Sequence, residues 1–231
     1  MNKIKVTILQ HSFNHMPIFL AQLTQRGHII NSYEDLISLY NKCCNKIPSE
    51  QLLKLPHNTI SRMCTMTVAI YGLSTKAANQ LRTHAKHGTF ITTSTQYSDF
   101  STQDFPYVIP NELDSKAIDS YKEALQNIHK EYSDLTKKLD KDIASYLLPQ
   151  SLRKCMIIHA SFPEWQHILS TRLCNRNSKE TQYVAELILK EMSTIKGSWA
   201  KLCLPSCVYD KCHEGKFSCG HKYKSTIDFN I

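Results

Sequence analysis

The sequence predicts an α+β protein, and three observations predict it. Short runs rich in β-branched residues occur at the N-terminus and at residues 65–71, two long stretches space apolar residues by three and four, and turn-forming residues separate them. The 231 residues, 42% hydrophobic and 21% charged, can bury one sizeable core. One domain over residues 1–200 with a Cys-rich tail over residues 201–231 is the expected organisation.

Met1 to Gln10 alternates apolar and polar residues as a first strand does. Pro17 to Gln25 follows as a helix, with Pro in its first turn and Gly27 just beyond its end, and Tyr33 to Tyr40 as another. Asn45 to His57 is a polar, Pro-containing connection. Thr65 to Tyr71 (TMTVAIY) is strand-like and ends at Gly72, after which Ser74 is placed to cap a helix carrying Ala77, Ala78 and Leu81. Thr83 to Phe105 is dense in Thr, Ser, Gln and aromatics and closes on Pro106 and Pro110, which suits a ligand pocket or an ordinary solvated loop.

From Asp114 the apolar positions Ile118, Tyr121, Leu125, Ile128, Tyr132, Leu135 and Leu139, continued by Ile143 and Tyr146, predict one long amphipathic helix ending before Pro149. Such a stripe is a packing face, within the domain or against another subunit. A second long helix is expected from Pro163 through Trp165, Ile168, Leu169, Val184, Leu187 and Met192 toward Gly197, interrupted by the polar residues Arg172, Asn175, Arg176 and Asn177. An arginine among apolar neighbours serves equally as an ion-pair partner or as a forked phosphate anchor, and composition does not choose between them.

No apolar run approaches the roughly 20 residues that span a bilayer, and the N-terminus lacks the apolar core and cleavage site of a secretory leader, so a cytoplasmic protein without membrane contact is expected. A net charge of +8 and a pI near 9.0 suit an anionic ligand or simply a surface of scattered lysines. Nucleic acid is not the expected partner, because no motif interleaves basic and aromatic residues. The nine cysteines argue for reduced thiols or a metal rather than a disulfide framework. Cys203, Cys207, Cys212 and Cys219, followed by His221, offer zinc-type ligands in a short tail, although no Cys-x-x-Cys pair is present. Cys43, Cys44, Cys64, Cys155 and Cys174 read as small buried residues.

The segment from Thr65 to Asp99, TMTVAIYGLSTKAANQLRTHAKHGTFITTSTQYSD, resembles the central block of the flavin-dependent thymidylate synthases. In that family a strand and a Ser-Arg helix start lead to Gln, Arg-His-Arg, a Ser-Phe and finally Ser-x-Arg-Tyr. Here Ser74-Thr75 is similar to the helix start, Gln80 to the glutamine, His84 and Lys86 to the end of the triplet with Ala85 inserted, Thr89-Phe90 to Ser-Phe, and Ser94-Thr95-Gln96-Tyr97 to the last motif. Asp142 to Pro149 (DIASYLLP) resembles the family's Ala-Arg-x-x-Leu-Pro, and Ser161 to Glu180 resembles its Asn-x-Arg helix with Ala-Gln-x-Glu.

The resemblance implies an α+β fold around a mixed β-sheet with two long helices, assembled as a homotetramer with active sites between subunits. It implies methylation of deoxyuridylate or a related pyrimidine nucleotide, with FAD bound and NADPH and methylenetetrahydrofolate as cosubstrates. Residue by residue, Arg172 falls on a nucleotide-contacting arginine and is the expected catalytic residue, and Gln80, Ser94, Thr95 and Gln96 fall on further nucleotide contacts. Thr59, His84, Lys86, Thr92 and His167 fall on flavin contacts, with Thr92 in place of a glutamate and His167 in place of an asparagine. Four family arginines are replaced, by Thr83, Gln96, Ser145 and Pro163, while Arg82, Lys76, His87 and Arg153 stand nearby as cations. Each lost guanidinium removes a charge-assisted hydrogen bond of about 1.5–3 kcal/mol. The losses also open a second reading, a paralogue of the same fold with altered or lost catalysis.

Overall fold

Four strands, with helices over one face, carry the fold of the computed structural model, which describes residues 4–43, 58–83, 86–223 and 225–229. The strands are β1 (Lys5–His11), β2 (Thr65–Ser74), β3 (Thr89–Thr92) and β4 (Arg153–Ser161), in the order β1-β2-β4-β3. Register runs from Lys5↔Tyr71 to His11↔Met66, from Thr65↔Ser161 to Ser74↔Arg153, and from Thr89↔His159 to Thr92↔Met156. The α+β class therefore holds, but the sheet is not mixed, since all three pairings are antiparallel. The helix α4 (Thr75–Arg82) connects β2 to β3, and these two strands do run in the same direction. Because β4 is inserted between them, no parallel neighbours result.

Before this unit come α1 (His15–Gln25), α2 (Tyr33–Cys43) and the single turn α3 (Asn58–Ser61). Asn14 caps α1 by accepting from the Met16 N–H at 2.9 Å, and Ser74 caps α4, as the sequence predicts, by accepting from the Ala77 N–H at 3.0 Å. Strand β4 has no counterpart in the sequence analysis. Its alternate residues Met156, Ile158 and Ala160 are buried with Met66, Val68 and Ile70 of β2. They pack against α7 (Phe162–Arg172) and α8 (Lys179–Ser193), where Trp165, fully buried, donates its indole N–H to the Met66 carbonyl at 3.0 Å. Burying each such aliphatic side chain stabilises the fold by roughly 1.5–3 kcal/mol. The other sheet face is only partly covered, and Leu9, Tyr71 and Ile91 are exposed.

Both expected long helices are broken. The first is α5 (Ser115–Leu135), followed after a tight turn by the short α6 (Lys141–Ala144). The Asp140 carboxylate accepts from the Asp142 N–H at 3.0 Å and starts α6 anew, and Ile143 and Tyr146 point to solvent rather than extending the buried stripe. Leu125 and Tyr132 of α5 instead join Phe100, Tyr107, Ala144 and Leu152 in a second, smaller core. The other expected helix divides into α7 and α8 because Asn177 caps the end of α7. Its amide donates to the carbonyls of Thr171 at 2.6 Å and Cys174 at 3.3 Å, and Ser178 leaves helical geometry as the residue preceding α8.

Candidate functional site

The break between α7 and α8 sets the first part of the site. Arg172 ends α7, is 6% exposed, and donates through Nη1 to Asn177 Oδ1 at 3.1 Å, while its Nη2 is buried with no hydrogen-bond partner among the described residues. Burial lowers its pKa, and no carboxylate pairs with it among the described residues. A guanidinium desolvated without a partner is costly, and an acceptor placed on Nη2 offsets that cost. Arg172 borders a cleft of about 770 Å³, with His167 and Asn177 on the helix side and Cys207, Cys212 and His213 on the tail side.

Gln80 belongs to the same constellation. Its Oε1 accepts from the hydroxyls of Ser178 at 2.6 Å and Thr181 at 2.5 Å, so the amide oxygen faces α8 and the Nε2 end has no hydrogen bond among the described residues. Glu180 locks α8 to α4, accepting from the Ser74 N–H at 2.7 Å and the Ser74 hydroxyl at 2.6 Å. The chain Gln80, Ser178, Asn177, Arg172 thus follows one connection between helices.

Thr92, Ser94, Thr95 and Gln96 form a second group at the end of the edge strand β3. The Ser94 hydroxyl accepts from the N–H groups of Gln96 at 3.2 Å and Tyr97 at 3.3 Å, shaping the turn. Thr93 ties the turn to β4: its N–H donates to the Cys155 carbonyl at 3.1 Å and its Oγ1 accepts from the Cys155 N–H at 3.0 Å. The Lys154 ammonium donates to the Thr93 carbonyl at 2.8 Å. No hydrogen bond among the described residues links this turn to Arg172 or Gln80.

The remaining expected flavin contacts are dispersed. Thr59 is exposed on α3, which packs on α7, and His167 is exposed on α7 at the cleft. The side chain of Lys86 is exposed, and its backbone N–H donates at 2.6 Å to the buried carboxylate of Glu164, a residue the sequence analysis did not single out. His84 lies outside the described residues. The Arg153 guanidinium is turned onto backbone, its Nη2 donating to the carbonyls of Phe105 at 3.5 Å and Tyr107 at 3.2 Å.

The tail also departs from expectation. Cys203 is fully buried, with its sulfur 3.7 Å from Met192 Sδ and 3.3 Å from the Trp199 carbonyl, and burial pushes its thiol pKa far up. It is a core residue. Among the described residues no group of three or more His, Cys, Asp or Glu side chains is arranged to hold a metal ion. The tail instead walls the cleft: Arg176 donates to Glu214 at 3.3 Å and to the Phe217 carbonyl at 2.6 Å, and the Tyr223 hydroxyl donates to the Leu173 carbonyl at 3.0 Å. Among the described residues no helix is long and apolar enough to cross a membrane.

Residues 21–196 match the family model described as thymidylate synthase complementing protein. A flavin-dependent thymidylate synthase of Clostridium tetani is 24% identical over 236 residues, covering 94% of this chain and 93% of the relative. One from Geobacter sulfurreducens is 24% identical over 174 residues, covering 74% and 75%. Among solved structures, thymidylate synthase X of Helicobacter pylori with FAD and dUMP superposes with a TM-score of 0.61 at 18% identity, over 87% of this chain and 99% of that one. The UMP/dUMP methylase PolB of Streptomyces cacaoi, bound with 5-Br dUMP, gives 0.63 at 15% identity, over 87% and 95%. At those identities the two structures show a shared fold, and the family match spans both the strand–helix block around Ser74 and the α7–α8 block around Arg172. The chain therefore belongs to the flavin-dependent thymidylate synthase family.

Proposed function

We propose that this protein is a flavin-dependent thymidylate synthase, converting deoxyuridylate to thymidylate with methylenetetrahydrofolate as carbon donor, FAD as bound cofactor and NADPH as its reductant. The observation that carries the reading is the buried Arg172 guanidinium, whose Nη2 has no partner among the described residues and which borders the cleft beside His167. The names of the relatives and the FAD and dUMP bound in the Helicobacter pylori structure support it.

In this reading Arg172 Nη2 donates to the nucleotide, and the Gln80 Nε2 end, oriented by the Ser178 and Thr181 hydroxyls, donates to a pyrimidine carbonyl. Ser94 and Thr95 present hydroxyls from the β3 turn. The exposed side chains of Thr59, Lys86 and His167 supply a hydroxyl, an ammonium and an imidazole, donors that fit the phosphates and polar ring edge of FAD. The flavin, when bound, supplies the hydride chemistry. The work of the chain is to orient reactants and hold polar contacts in a partly desolvated cleft, without a thiolate nucleophile. Cys174 borders the cleft half-buried, and burial pushes its thiol pKa up.

We further propose a homotetramer with sites between subunits. It accounts for the lack of any hydrogen bond between the Thr92–Gln96 turn and Arg172 within one chain, and for the exposed Leu9, Tyr71 and Ile91 on the partly covered sheet face. The test is chromatographic detection of thymidylate after incubating FAD-reconstituted protein with deoxyuridylate, methylenetetrahydrofolate and NADPH. Product that requires all three additions is expected; a protein that binds FAD and deoxyuridylate yet forms no thymidylate contradicts the reading.

A further inference from the structure

We infer, on the functional reading above, that the C-terminal tail positions Arg172 for its ligand, with Tyr223 as the residue that holds the connection between α7 and α8. The tail lies beyond residue 196, where the family match ends, and no motif assigns it a task.

The connection depends on support from outside itself. Residues 173–178 form neither helix nor strand, and a segment of that kind opens locally at little cost unless its neighbours hold it. Arg172 nevertheless takes its orientation from the far end of this segment, since its Nη1 donates at 3.1 Å to Asn177, five residues on. Wherever the connection moves, the acceptor that orients the guanidinium moves with it.

Tail residues supply the support. The Tyr223 hydroxyl donates to the Leu173 carbonyl at 3.0 Å, stands 2.8 Å from Asn175 Oδ1, and accepts at 2.9 Å from Nε2 of Gln182, a buried side chain of α8. The Asn175 amide donates to the His221 carbonyl at 3.0 Å, and Arg176 reaches Glu214 and the Phe217 carbonyl. The tail therefore grips Leu173, Asn175 and Arg176, all of them between Arg172 and Asn177.

The tail is itself anchored on both sides of this grip. Cys203 and Leu204 belong to the main core before it. After it Phe229, whose ring centre is 4.5 Å from that of Tyr223, packs against the same core. A brace fixed at both ends holds the guanidinium in one place before a ligand arrives, and a pre-organised donor gives up less freedom on binding. Neither Tyr223 nor Asn175 lines the cleft, so each acts on a ligand there through the residues it holds and is a positioning residue.

The test is a double-mutant cycle on the full-length protein, read by calorimetric titration with deoxyuridylate. It combines Tyr223→Phe, which removes only the hydroxyl, with Asn177→Ala, which releases Arg172. Each single variant is expected to weaken deoxyuridylate about fivefold, and Tyr223→Phe should add less than about twofold once Asn177 is Ala. A merely structural role for Tyr223 predicts a lower melting temperature with wild-type affinity, and a role that bypasses Arg172 predicts the same loss in both backgrounds. Either result overturns the inference. Asn175→Ala enters the same cycle from the side of the connection, so the test stands if Tyr223→Phe does not fold. Arg172→Met separates the two readings. If it loses deoxyuridylate while Tyr223→Phe and Asn175→Ala keep it, the tail has no positioning role and the functional reading stands. If Arg172→Met binds deoxyuridylate as the wild type does, or the wild type binds none, both fall.

Discussion

Arg172 and the Thr92–Gln96 turn are held in place by different means. Arg172 is fixed by burial, at the end of a helix packed into the main core, with Asn177 and the tail closing around it. The turn is fixed by backbone, at the end of a four-residue edge strand whose last contacts are the hydrogen bonds of Thr93 to Cys155 and Lys154. A guanidinium buried without its full set of partners serves the ligand at the expense of the fold, so at Arg172 binding and stability come apart. At the edge the hydrogen bonds that hold the strand also place the turn, so the two change together.

The largest effect is expected at Arg172. In Arg172→Met, which keeps the bulk of the side chain but removes its charge, calorimetry should show deoxyuridylate binding weakened by up to about 100-fold, the upper range for a charge-assisted bond. The unliganded variant should melt no lower than the wild type, because a buried guanidinium lacking its full set of partners is itself unfavourable. A large drop in melting temperature would sink this account of the Arg172 half. Next comes Glu180→Gln, which leaves one acceptor where the carboxylate has two for Ser74; urea denaturation should give a loss of about 1–3 kcal/mol. Loosening α8 from α4 should also weaken nucleotide binding through Gln80.

At the edge, Thr93→Val removes the acceptor for the Cys155 N–H, and denaturation should register a loss of about 1 kcal/mol, with nucleotide affinity falling more than that loss accounts for. The smallest effect concerns Asp99, just beyond the turn, whose pKa is lowered mainly by hydrogen bonds from Ser101 and secondarily by Lys141. A carboxylate with a depressed folded pKa contributes stability above its unfolded pKa and loses it as pH falls through the folded one. Asp99→Asn should therefore melt slightly below the wild type at neutral pH, and the two melting temperatures should converge as pH falls through the lowered pKa of Asp99.

The same division decides what the sequence made legible. Ser74 could be assigned as a cap and residues 65–71 as a strand because local chemistry dictates both, and Arg172 stood out as a cation among apolar neighbours on a helix. Strand β4 owes its identity to partners that are distant along the chain, β2 and β3, although Pro163 punctuates the end of its KCMIIHAS run. The division of α7 from α8 was present in the polar run Asn175–Ser178, but an apolar period continuing on both sides masked it until Asn177 was seen capping carbonyls. Lys154 and Glu164 acquire their roles only through contacts to Thr93 and Lys86, each more than 60 residues away in sequence. Cys203 counted as a tail ligand because spacing shows neighbours and not burial, and burial against Met192 removes it from that set.

The central claim is that Arg172 lies where nucleotide and flavin meet. Its most direct test is the visible absorption spectrum of FAD-reconstituted protein before and after addition of deoxyuridylate, for the wild type and Arg172→Met. A flavin band shifted by the nucleotide in the wild type and unshifted in the variant is the predicted result; an equal shift in both, or a wild type that binds no flavin, contradicts it.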